Sequence, residues 1–291
     1  MPKTPSLLFI LLLLVFTSNI FAAPYSETGA SGRTAIYLGI QDYYWDERDD
    51  PGSLWGGNEK LLEENGTLFE LGVSHDNEQI RHSGIIYSID TRISAGNVDY
   101  DGRTMSDIPK NDGIPVSTDV DYLSWDLEGN IGYRFQVASH TFLDLQGGIG
   151  YDYWRRAIQS SSFTNLLDEV VTAEGLTEHY KLLYARLTGG LFIPGQSWDN
   201  NLRIGLRGPL YIEETIDELP GLTLEPKMQP SPFAEWQLVY RGNADRSKYG
   251  LSVYYEETRF DRSDAIAYGG GYVWQPESFR REVGIRGYFY F

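Results

Sequence analysis

Four histidines, scattered serines and a large stock of carboxylates and arginines are the residues of this chain that could do chemistry. A histidine beside an acid is the smallest unit of an oriented general base. His75 precedes Asp76. His179 follows Glu178, with Asp168, Glu169 and Glu174 a few residues upstream. His82 and His140 have no adjacent acid. Lipase-type catalysis needs Ser and His together, and Gly-x-Ser-x-Gly is absent. Gly269–Gly271 lacks the Lys of a phosphate loop. Asp99, Asp101 and Asp107 have spacing that hard cations accept, without the rest of a Ca²⁺ loop. With no cysteine, thiolate sites and disulfides are excluded. The residues therefore imply no catalytic set, no metal and no cofactor.

The remaining charges obey a period of two. Asp90, Arg92, Asp126, Glu128, Arg134, Asp144, Asp152, Arg186, Arg203, Arg207, Glu256, Glu282 and Arg286 alternate with apolar residues, as do Glu70, Glu213, Glu235 and Lys248. Strands with two unlike faces read this way. Ile36, Leu38 and Ile40 share one face; so do Phe69, Leu71 and Val73, and later Leu143, Leu145 and Ile149. The last stretch sets Val283, Ile285, Phe289 and Phe291 against Glu282, Arg286, Tyr288 and Tyr290. Apolar outside and polar inside is the inverse of a soluble core, and it suits a barrel whose wall meets lipid. Charges confined to such a narrow lumen must pair or stay hydrated. Two readings result: an interlocked network that fills the lumen, or a passage lined by opposed charges.

The expected fold is all-β, a membrane-spanning antiparallel up-and-down barrel of ten strands over residues 34–291. Twelve is the alternative, should Ala267–Trp274 form a strand of its own. Short connections near 76–82, 137–139, 194–200 and 242–246 alternate with long segments 47–65, 98–120, 156–179, 215–230 and 261–279. That is the asymmetry of periplasmic turns and extracellular loops. The long segments carry 21 of the 41 Asp and Glu but 7 of the 24 Lys and Arg, so most of the −17 net charge is in the loops. Such a balance argues against nucleic acid as a partner. Within them, Phe163–Val171 could be a short amphipathic helix, and Tyr43, Tyr44 and Trp45 an interfacial girdle. Pro209 interrupts the seventh strand, where Ile212 is assigned to lipid and Glu213 to the lumen. Lys3, the apolar run Leu7–Phe16 and small residues around Ala22 predict a signal peptide over 1–22, with 23–33 a short periplasmic segment.

Tyr254-Tyr-Glu-Glu-Thr-Arg-Phe-Asp-Arg-Ser263, Gln275-Pro-Glu-Ser278 and the final strand resemble a group of small, porin-like proteobacterial outer-membrane proteins. The ending Tyr288, Phe289, Tyr290, Phe291 also resembles the C-terminal signature that the barrel-assembly machinery reads. The resemblance implies a Gram-negative outer membrane, with its lipid and lipopolysaccharide as surroundings, and transfers no catalytic residue. Omptin-like proteases are ten-stranded too, with an acidic pair opposite an Asp–His pair at the outer rim; around His179, at the corresponding rim, no omptin motif is present. The expected function is non-enzymatic: a structural or surface-interaction role through acidic extracellular loops. A narrow channel for small solutes is the first alternative and a membrane-embedded hydrolase the second. The surface ligand is not legible.

Overall fold

The computed structural model describes residues 32–48, 60–104, 113–241 and 248–291. The expected signal peptide, Pro51-Gly52, Gly56-Gly57, Asp107 and the Gly242-Asn243 turn lie outside the described residues. Ten long strands make the wall: β1 (Arg33–Arg48), β2 (Lys60–Asp76), β3 (Gly84–Arg103), β4 (Pro115–Ala138), β5 (Thr141–Ile158), β6 (Thr177–Pro194), β7 (Trp198–Ile216), β8 (Ser231–Tyr240), β9 (Tyr249–Asp261) and β10 (Glu277–Tyr290). Each pairs antiparallel with the next, and β10 returns to β1, setting Ile36 opposite Phe289 and Ile40 opposite Ile285. Closure leaves no edge running the length of the wall, which is what a sheet in hydrocarbon requires.

The twelve-strand alternative is excluded. Ile266–Tyr268 and Gly271–Val273 pair only with each other, in a small hairpin outside the wall. Gly269 and Gly270 turn it with φ of 61° and 90°, a region that favours glycine. The helix expected at Phe163–Val171 is a second hairpin, Ser161–Thr164 with Val170–Ala173. Asn165 accounts for the difference, since its side-chain oxygen accepts from the backbone N–H of Leu167 and Glu169 and closes a turn.

Outward side chains of the central wall are the expected apolar ones: Leu38 is 67 % exposed, Phe69 66 % and Ile131 64 %. A continuous belt of this kind is untenable in water and natural in lipid. Above the belt the strands continue, and their hydrophobic phase inverts. In β1 the apolar residues pass from outward Ile36, Leu38 and Ile40 to inward Tyr43 and Trp45, which are almost wholly buried; only Tyr44 of the expected girdle faces out. In β3 and β4, Val98, Val120 and Tyr122 point inward, while Asp99, Asp101, Asp119 and Asp121 point outward and are exposed. The outer wall here meets water, so only the lumen can take apolar groups. The expected loop 98–120 is therefore mostly a hairpin ladder, from Arg103↔Pro115 down to Gly84↔Arg134. Its ten or so residues above the belt extend it by roughly 30 Å.

Proline changes the phase once more, in β7. Tyr184 pairs with Pro209 and Leu183 with Tyr211, so Leu210 is an extra residue and the strand is bulged. Beyond the bulge the faces exchange. Ile212 and Glu214 point inward and are buried, while Tyr211 is 47 % exposed and Glu213, reversing its expected placement, pairs on the outer wall with Lys181. Lys248, expected inside, is exposed.

Candidate functional site: the filled lumen

Every charged residue named for the lumen network, from Asp90 to Arg286, lies on the inner face, and the pairs form three tiers. In the lower tier, at the end of the short turns, Arg134 is fully buried and grips Asp144 with two hydrogen bonds, at 2.7 and 2.5 Å. Its Nη1 also donates to the carbonyls of Glu78 and Ile80, at 2.5 and 2.6 Å. The β2–β3 turn is thereby folded into the barrel mouth. Glu78, on that turn, accepts from Gln146, Asn201 and Arg203 at 3.2–3.3 Å. Arg81 reaches Asp199 at 2.5 Å, and Arg33 reaches Asp76 at 2.8 Å.

In the middle tier, Glu70 sits between Arg92 (3.2 Å) and Arg286 (2.9 Å). Arg186 holds Glu128 at 2.6 Å, and Tyr184 lies between Glu128 and Asp126 at 2.9 and 3.1 Å. Tyr37 donates to Asp90 at 2.8 Å, and Arg203 pairs with Glu235 at 2.9 Å. Glu256 is surrounded by Arg92, Arg207 and Arg186 at 3.4–3.8 Å. Asp152 binds Arg280, which also approaches Glu282 at 3.5 Å. The space left among these groups is about 80 Å³, room for a few waters. Arg280 lies just past the expected long segment 261–279 and carries no assignment from sequence; its two-residue phase with Glu282 and Arg286 is the available signal.

The upper tier, at the end of the long connections, is aromatic around one cation, and sequence reasoning missed it. Trp45, Trp154, Tyr180 and Phe260 pack together, with Trp154 stacked on Tyr180 at 4.7 Å and 4°. Arg156 lies over Trp45 at 4.8 Å and contacts Glu47 (3.0 Å), Glu64 (2.5 Å) and Glu178 (2.5 Å). Trp45 and Gln275 donate to Glu47, Tyr122 to Glu64 and Tyr180 to Glu178. A fourth carboxylate, Glu214, is 1 % exposed, and among the described residues neither of its oxygens has a hydrogen-bond partner. The outward neighbours at this level are Glu63, Arg155, His179 and Glu213, so the tier stands above the lipid belt. Burial, then the nearby Glu47 and Glu64, push the Glu178 carboxyl up to about 7 against the pull of Arg156. Burial, then Glu178 and Glu47, hold Glu214 well above the usual carboxylate range. Glu64 is raised by burial, opposed by Arg156.

The histidines stand apart from this interior. His179 pairs across the ladder with outward Arg155, so it lies on the outer wall, with Tyr153 at 2.8 Å and Asp217 at 3.2 Å. Neighbouring Glu178 points the other way, onto Arg156. His75 contacts Thr34 at 2.9 Å, and His82 the carbonyl of Ser83 at 3.0 Å. Among the described residues, no group of three or more acids and histidines could hold a metal ion.

No protein-family model and no curated protein matches the chain by sequence. Solved structures do. The outer-membrane protease OmpT of Escherichia coli aligns over 92 % of this chain and 99 % of its own, with TM-score 0.54 and 12 % identity. The translocator domain of the autotransporter NalP from Neisseria meningitidis aligns over 96 % and 93 %, at TM-score 0.34 and 11 % identity. For the β domain of the Bordetella autotransporter BrkA the shares are 88 % and 98 %, at 0.38 and 13 %. The first overlaps enough to speak to the fold, and at that identity it speaks to nothing else. The chain has the ten-stranded, antiparallel, up-and-down fold of the outer-membrane β-barrels.

Proposed function

We propose that this chain is a non-conducting, non-enzymatic barrel of a Gram-negative outer membrane that acts through its extracellular surface. One observation carries the reading: side chains fill the lumen at every level, from the inserted β2–β3 turn to the aromatic tier around Arg156. A passage would have to break ion pairs such as Arg134–Asp144, and an uncompensated buried charge costs several kcal/mol. What the protein offers to partners is then outside. The β3–β4 ladder is the longest of the wall among the described residues, and its outward Asp99, Asp101, Asp119 and Asp121 make an acidic face. That face favours a cationic partner, or divalent ions shared with lipopolysaccharide phosphates.

Export would use the signal peptide at 1–22. Insertion by the assembly machinery would read Tyr288, Phe289, Tyr290 and Phe291, whose outward aromatics lie on the strand that closes the barrel. The purified, refolded protein in a planar bilayer tests the plug: no steady current is expected. A reproducible single-channel current from wild type would overturn the reading in favour of a narrow channel.

A further inference from the structure

Among the described residues the wall has a gap of several rungs at its outer rim. The β7–β8 ladder ends at Arg207↔Ser231, and the next rung on that side is Glu214↔Leu224. Residues 227–229 have by then left to pair with β9. Residues 208–213 of β7 are consequently paired only on the β6 side. A cleft of about 530 Å³ occupies the gap, within the ~300–1,000 Å³ usual for small-molecule sites.

The cleft is amphipathic. Ile212, 5 % exposed and part of the aromatic cluster that fills the outer lumen, lies at its base. Leu210 and Tyr211, 55 % and 47 % exposed, form one lip, and Ile266 of the small hairpin forms another. Below lie Ile204 and Leu206 of the lipid-facing belt, so the cleft stands at the upper edge of that belt. Its upper rim is charged: Glu225, and Lys227 paired with Asp264 at 2.6 Å. An unpaired strand edge favours cover by another molecule, and Pro209 has no N–H to offer a neighbouring strand. Two acids against one base on the rim favour a cationic headgroup.

We propose that this cleft binds one amine-bearing lipid of the outer leaflet, with an acyl chain against Leu210, Tyr211, Ile212 and Ile266 and the ammonium at Glu225 and Asp264. The site is continuous with the lipid-facing wall and independent of whether the lumen conducts.

The test uses full-length barrel in nanodiscs carrying phosphatidylethanolamine with a photoactivatable diazirine in its acyl chain, and, in a second arm, phosphatidylglycerol with the same label. Label should concentrate on peptides containing 209–212 and 266, severalfold more with the ethanolamine lipid. Ile266→Trp, outside the wall and filling the cleft, should abolish that enrichment while heat-modifiable mobility is retained. Asp264→Asn with Glu225→Gln should erase the headgroup preference and leave tail labelling. Label spread evenly over outward positions such as Leu71, Leu145 and Ile285 would overturn the proposal. So would equal labelling by the two lipids, or enrichment that survives Ile266→Trp.

Discussion

Replacing Glu214 with Gln removes an ionisable group from the upper tier while keeping its shape. Four carboxylates, Glu47, Glu64, Glu178 and Glu214, surround Arg156 there, and the arginine contacts the first three. Glu214 is raised by burial first and by Glu178 and Glu47 next, so the folded state holds its proton where the unfolded chain, titrating near 4.5, has lost it. Between those two values the folded protein binds more protons, and its stability falls as pH rises, by about 1.4 kcal/mol per pH unit for one group. Glu214→Gln should therefore be more stable than wild type at pH 7, with little difference at pH 4.5. Urea unfolding in detergent micelles, followed by tryptophan fluorescence and gel mobility at both pH values, measures the difference. A Gln variant no more stable than wild type at pH 7, or a gain equally large at pH 4.5, would refute the reasoning.

Arg134→Met should lower stability by about 3–5 kcal/mol, since it strands buried Asp144 and releases the carbonyls of Glu78 and Ile80; thermal loss of the compact gel form reads this out. Leu145 faces lipid and is 56 % exposed, whereas Gln146 faces the lumen beside Glu78. Leu145→Arg should cost roughly 2–4 kcal/mol in liposomes and impair folding more than Gln146→Arg. The reverse order would mean that the faces are exchanged. Phe291→Ser should lower the yield of folded barrel in the membrane fraction and induce envelope stress; unchanged yield would count against an assembly role for the terminal aromatics.

Inside the lipid belt the sequence by itself determined much: an antiparallel barrel of ten strands, with twelve left open until the tertiary structure, and which face of each strand meets lipid. Lipid imposes one rule on every strand there, apolar out and polar in, so residues as far apart as Ile36 and Ile285 carry the same local signal. Above the belt water reverses the rule, and alternation no longer says which face is which. Val98 to Arg103 and Val116 to Tyr122 alternate well, yet in a phase that only a wall standing in water explains. The β7 bulge is similar. Pro209 announces a break, but the extra residue at Leu210, which turns Ile212 and Glu214 inward, depends on the register that β6 imposes. The upper tier was decided wholly by tertiary structure. Its members come from β1, β2, β4, β5, β6, β7 and β9, and no spacing along the chain brings Glu47, Glu64, Glu178 and Glu214 around Arg156. The cleft at 208–213 follows from where β8 stops pairing, and that is a property of the closed wall, not of any one strand.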